Sequence, residues 1–129
     1  MMALCWMVCK TMNNITAGKP SRGQVWMTTF DPVVGHEQAS IRPAIVVSVD
    51  KFNHGPSNRV IVVPTTSRDR GLPLHVRLDP PDGGCTVTSF ARPEDIRAVS
   101  PLRLLRYMGE VGEDTMEQLL VRLKVLLGL

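Results

Sequence analysis

From Gly23 onward the chain alternates short apolar runs with clusters of Gly, Pro and Asp, and it closes on one stretch of helical period. Gln24 to Phe30 predicts a first strand, with Trp26, Thr28 and Phe30 on one face. Asp31 to Arg42 (DPVVGHEQASIR) follows as a long polar loop. Pro43 to Val49 (PAIVVSV) predicts a buried central strand, because an almost continuous β-branched run leaves little polar face for water. The connection DKFNHGPSNR leads to a second buried run, Val60 to Thr65, ended by the polar TSRDRG. Leu74, Val76 and Leu78 alternate with His75 and Arg77, which predicts a half-exposed strand with His75, like His54, at the surface. PPDGG forces a turn before a strand from Thr86 to Ala91, and Asp95 to Val99 predicts another. Ser100-Pro101 opens a short turn or helix through Leu105, with Pro at the first helical position.

The last segment, Glu113 to Leu127, carries Met116, Leu119, Leu120, Leu123 and Leu127 at helical spacing, with acids early and Arg122 and Lys124 late. Val121, Val125 and Leu126 widen its apolar stripe, which fits either a broad core face or a contact with a second chain. Five or six short strands and one terminal helix predict a mainly β fold, a small and strongly curved sheet of the SH3-like barrel kind.

At 129 residues the chain fits one domain, which excludes two-domain enzymes, and 43% hydrophobic with 21% charged residues excludes a disordered chain. No apolar run reaches the roughly 18–20 residues of a membrane span, so no membrane partner is expected. The opening MMALCWMVC lacks the basic start of a secretory signal. Residues 1–21 read as a tail before a domain at 22–129, and Met12 is a second candidate start that would leave residues 1–11 untranslated. Cys5, Cys9 and Cys85 are an odd number at no zinc spacing, so a reducing cytoplasm and no metal or other cofactor are expected. The net charge of +3 resides in Lys10, Lys19 and Arg22, and 12 basic and 12 acidic residues cancel over the rest. Charge on the body is local: between Arg42 and Arg77 six basic residues face Asp50 and Asp69, a balance of +4. The six aromatics are too few for a sheet of base-stacking platforms.

If the two buried runs are antiparallel neighbours in a symmetric register, Val49 pairs with Val60 and Pro43 falls opposite Thr66. Arg42 then meets Thr66 and Ser67 at one rim, where His36, Glu37 and Gln38 also enter, with Arg68 and Arg70 a few residues on. Arginine offers planar, charge-assisted donors to phosphoryl oxygens, and hydroxyls donate to a developing oxyanion. Each residue also has an ordinary role. Arg42 can pair with a loop carboxylate, Thr66 and Ser67 can cap a turn, and His36 to Gln38, Arg68 and Arg70 can be solvated loop residues.

Several separated blocks occur in order: RGQVWMTTFDPVVGHEQASIRPAIVVSVDKFN, VIVVPTTS, EDIRAVSPLRLL and a leucine-rich end, LLGL. From about Arg22 to the C-terminus this order closely resembles the MazF/PemK toxins of bacterial type II toxin–antitoxin modules. The resemblance implies an SH3-like barrel homodimer that acts as a metal-independent, ribosome-independent endoribonuclease on single-stranded RNA, blocked by a cognate antitoxin. It places the catalytic arginine on Arg42 and the catalytic hydroxyl on Thr66, and it gives Gly35, Glu37 and Gln38 a part in shaping the RNA site. His36 stands where serine is frequent and Asp95 where glutamine is common before the I-R pair. Arg97 matches an arginine of the family, and either an RNA contact or a salt bridge suits it. The implied chemistry is attack by a 2′-hydroxyl on the adjacent phosphorus, with His36 a candidate for taking the proton because arginine stays protonated. Two other readings share the fold: a CcdB-like gyrase poison, disfavoured by the absence of an aromatic residue after Tyr107, and an inactive member that only binds RNA or antitoxin.

Overall fold

A computed structural model of the chain describes residues 19–30 and 41–129. Seven strands form one antiparallel sheet: β1 (Gln24–Thr29), β2 (Ile41–Val46), β3 (Val60–Thr66), β4 (Val76–Leu78), β5 (Ser89–Ala91), β6 (Arg97–Val99) and β7 (Leu104–Glu110). A short helix, α1 (Asp50–Asn53), links β2 to β3, and α2 (Glu113–Leu127) ends the chain. The strand order is β4-β5-β3-β2-β1-β7, with β6 on the first half of β3 and β5 on its second half. The mainly β fold with a terminal helix is the one expected, and among the described residues β4 and β7 stand at the two ends unpaired to each other, so the sheet is open and not a closed barrel.

Alternation along the strands gives the sheet two apolar faces. One packs Val25, Ile45, Val47 and Val63 under Leu119 and Leu123 of α2. The other gathers Ala44, Val46, Val60, Val62 and Val99, flanked by Trp26, Phe30 and Leu104. Central strands buried on both faces account for the unbroken β-branched runs in the sequence. Trp26 meets Tyr107 edge to face at 5.6 Å on this second side.

The β2–β3 register differs by one residue from the symmetric pairing. Val46 lies opposite Val62 and Ala44 opposite Pro64, which puts Arg42, not Pro43, level with Thr66. The cause lies in the connection, which is folded rather than extended. The Ser48 hydroxyl accepts from Ile61 N at 2.9 Å and bonds the Asn53 side-chain oxygen, while Asn53 Nδ2 donates to Ser48 O at 2.9 Å. Ser48 thereby leaves the ladder and the strand ends at Val46, three residues short of the expected limit.

Three other expectations change. Asp95 belongs to a single 3-10 turn, Pro93–Asp95, and β6 starts only at Arg97. The turn Pro101–Arg103 is followed by a seven-residue strand, β7, that the pattern did not predict. It pairs with β1 through two register irregularities, so its apolar residues lose a clean period of two. His75 is buried, with 3% of its side chain exposed, because Nε2 bonds Glu94 Oε2 at 2.7 Å. His54 is exposed, as expected, and its Nε2 lies 2.9 Å from Pro20 O.

The helix α2 has the bounds the sequence predicts. Asp82 holds its start, accepting from Gly112 N at 2.8 Å and from the Thr115 hydroxyl at 2.5 Å. Gly128 ends it in the left-handed region at φ 73°. Leu119 and Leu123 enter the core, but Leu127 joins Val121, Val125 and Leu126 on the exposed side, so among the described residues the wide stripe is not all core face.

Candidate functional site

The face opposite α2 carries the candidate site. Arg42 is the second residue of β2 and lies opposite Thr28 of β1. Extending the β2–β3 register by two residues places Thr66 across from it on the other side. Thr66 in turn pairs with Phe90 of β5, and Val62 pairs with Arg97 of β6. Residues directly opposite in an antiparallel ladder point to the same face. Arg42, Thr66, Pro64 and Arg97 therefore share one surface above the second apolar cluster.

Phe30, Arg42, Pro64, Asp95 and Arg97 line a shallow cavity of about 280 Å³ there. Its walls combine an aromatic ring and a proline with two guanidinium groups and one carboxylate. Arg97 lies over the Phe30 ring, 5.4 Å from its centre, and forms no ion pair among the described residues. Of the two roles the sequence left open for Arg97, a salt bridge is therefore not seen among these residues. Arg42 is half-buried, lines the cavity and likewise forms no ion pair among them.

The two adjacent threonines are sorted by the sheet. Thr65 is buried and its hydroxyl donates to Pro43 O at 3.0 Å. Thr66 is half-exposed and its Oγ1 accepts from Arg68 N at 3.2 Å. That bond occupies an oxygen lone pair and leaves the hydroxyl proton free to donate outward.

Asp95 faces the cavity in company. Arg92 Nη2 is 3.0 Å from Asp95 Oδ2, Arg92 Nε is 3.5 Å from Glu94 Oε2, and Glu94 bonds His75. Burial alone would raise the Glu94 carboxyl, but the hydrogen bond to His75 and the charges of His75 and Arg92 hold it below the ordinary carboxylate range. Sequence reasoning missed Arg92, Glu94 and His75. The only signal was R-P-E-D, an arginine three residues before a carboxylate.

Ser67, Arg68 and Arg70 are exposed in the loop after β3 and do not line the cavity. Gly35, His36, Glu37 and Gln38 lie outside the described residues. No helix among the described residues is long and apolar enough to cross a membrane.

An open antiparallel sheet with a terminal helix carries two arginines, a carboxylate and a half-exposed threonine at or beside a shallow cavity of mixed polarity. Comparison with known proteins defines its class. Residues 21–127 match the family described as PemK-like, MazF-like toxin of type II toxin–antitoxin system. The chain is similar to endoribonuclease MazF9 of Mycobacterium tuberculosis, 36% identical over 113 residues that cover 84% of this chain and 96% of the relative. It is similar to endoribonuclease EndoA of Bacillus subtilis, 29% identical over 109 residues, 84% of this chain and 94% of the relative. Its fold matches the crystal structure of MazE–MazF from Deinococcus radiodurans with a TM-score of 0.74 and 28% identity, over 86% of this chain and 97% of the matched one. The chain belongs to the PemK/MazF-like toxin family.

Proposed function

We propose that this protein is the endoribonuclease toxin of a type II toxin–antitoxin pair, cutting single-stranded RNA at short sequences without the ribosome and thereby halting translation. The observation that carries the reading is the cross-strand placement of Arg42 and Thr66 on one face beside the cavity. In the reaction the 2′-oxygen forms a bond to the adjacent phosphorus and the bond from phosphorus to the 5′-oxygen breaks. The products are a 2′,3′-cyclic phosphate and a 5′-hydroxyl, which receives a proton. The nucleophile belongs to the substrate, so the reading calls for no metal ion or cofactor.

Arg42 neutralises charge growing on the non-bridging oxygens, and the proton of the Thr66 hydroxyl donates to the same group. Both contacts strengthen as the phosphorus becomes five-coordinate, which is the condition for lowering a barrier rather than merely binding. His36, on the segment between β1 and β2, is assigned the 2′-proton. Gly35, Glu37 and Gln38 shape the entry, while Ser67, Arg68, Arg70, Asp95 and Arg97 guide the flanking nucleotides. The toxin works in the cytoplasm as a homodimer, and a MazE-like antitoxin silences it. The MazE–MazF likeness supports the antitoxin, and the exposed Val121, Val125 and Leu127 give a second copy an apolar surface to cover.

Incubating the purified protein with a long RNA in EDTA and mapping the ends tests the reading. Discrete cuts with 5′-hydroxyl ends, lost in Arg42→Ala, are expected. RNA left intact by the wild-type protein would overturn it.

A further inference from the structure

The turn Pro93–Asp95 places a carboxylate, Asp95, on the same cavity as Arg42 and Arg97, and three side chains stand behind it. The Arg92 guanidinium is largely buried and reaches Asp95 Oδ2 at 3.0 Å, while its Nε lies beside Glu94. Glu94 is anchored by the buried His75 at 2.7 Å. Among the described residues Asp95 Oδ1 makes no hydrogen bond, and 44% of the side chain is exposed. Asp95 therefore presents an acceptor oxygen to the cavity, held in place by the Arg92 guanidinium behind it.

A carboxylate accepts and never donates. Among the four bases only guanine offers two adjacent donors on its Watson–Crick edge, N1–H and N2–H. Cytosine and adenine place a ring acceptor next to their amino group, and uracil flanks its single N–H with carbonyl oxygens. Each of these sets a lone pair against Oδ2, whose second lone pair, beside the one that Arg92 fills, is the other acceptor that guanine needs. The cavity also supplies what an unstacked base needs, the Pro64 surface and the Arg97 guanidinium plane held over Phe30. Its volume of about 280 Å³ suits one base rather than a duplex.

We infer that Asp95 is the residue that selects a guanine in the bound RNA, and that Arg92, supported by Glu94 and His75, is its positioning residue. This rests on the RNA-cleaving reading above, and it adds the base that the site prefers.

The test uses the full chain and a randomised pool of 2′-O-methyl RNA, which binds but lacks the nucleophile, alongside cleavage of unmodified RNA. The wild-type protein is expected to enrich guanine at one position about tenfold or more. Asp95→Asn, which keeps the shape but adds a donor, is expected to abolish that enrichment. Arg92→Ala is expected to lose most of it and Arg92→Lys to restore part, with thermal melting run on each variant to register folding. Guanine enrichment unchanged in Asp95→Asn, or absent in the wild-type protein while unmodified RNA is cut, overturns the inference and leaves the nuclease reading standing. Guanine enrichment lost in Asp95→Asn while the wild-type protein cuts nothing supports the inference and overturns the nuclease reading.

Discussion

The hydroxyl of Thr65 donates to the carbonyl of Pro43 across β2 and β3 at 3.0 Å, a bond that fits the register setting Arg42 level with Thr66. A slip of one residue would turn either side chain to the opposite face of the sheet. On the proposed function, the neighbouring threonines divide structure and chemistry between them.

That division predicts opposite phenotypes. Thr65→Val takes the hydroxyl donor from the Pro43 carbonyl in a part-buried setting and is expected to cost about 1–3 kcal/mol of stability by urea denaturation. Thr66→Val is expected to leave the urea midpoint within about 0.5 kcal/mol of wild type while slowing RNA cleavage roughly 10²-fold. Equal stability losses in the two variants would contradict the assignment of Thr66 to chemistry.

Arg42 supplies a planar fork, not just a charge. Single-turnover cleavage by Arg42→Ala is expected to fall roughly 10²- to 10³-fold. Arg42→Lys, which keeps the charge but not the paired donors, is expected to recover only a small part of the rate.

The Glu94 carboxyl is held below its ordinary value of 4.5, so its ionised form is favoured in the folded state. The resulting stabilisation is present in full above 4.5 and is lost as the pH falls through the lower folded value. Melting temperatures of wild type and Glu94→Gln are therefore expected to differ most above that pH and to converge in acid below it. A gap that stays constant down to pH 3 would show that ionisation of Glu94 is not what matters.

Gly84 sits at φ +75°, where an added Cβ would lie 2.1 Å from Met108 O on β7. Gly84→Ala is expected to lose about 3 kcal/mol or more through strain and overlap. Gly71 has a similar φ of +66° with open space around it, so Gly71→Ala is expected to lose only about 1–2 kcal/mol. Urea titration of both proteins separates backbone strain from the close approach.

Helix α2 was legible in the sequence to both ends, because charge order, apolar spacing and the closing glycine are local signals that agree. The first strand, the two buried β-branched runs and Arg42 and Thr66 as candidates were legible for the same reason. The strand β7 was not, since a bulged edge with Leu105, Arg106 and Tyr107 exposed carries no period of two. The burial of His75 was not either, because its reason is Glu94, nineteen residues away.

The class of fold, helix α2 and the family are written in local pattern and in ordered motifs, and so are readable before any chain folds. Which residue of β2 lies level with Thr66, that the sheet is open, and that Asp95 stands at the cavity with Arg92 behind it are set by the folded chain. Those facts depend on how far Ser48 and α1 shorten a connection and on which strands meet. No run of neighbouring residues encodes that sum, because it is settled by contacts between segments far apart in the chain.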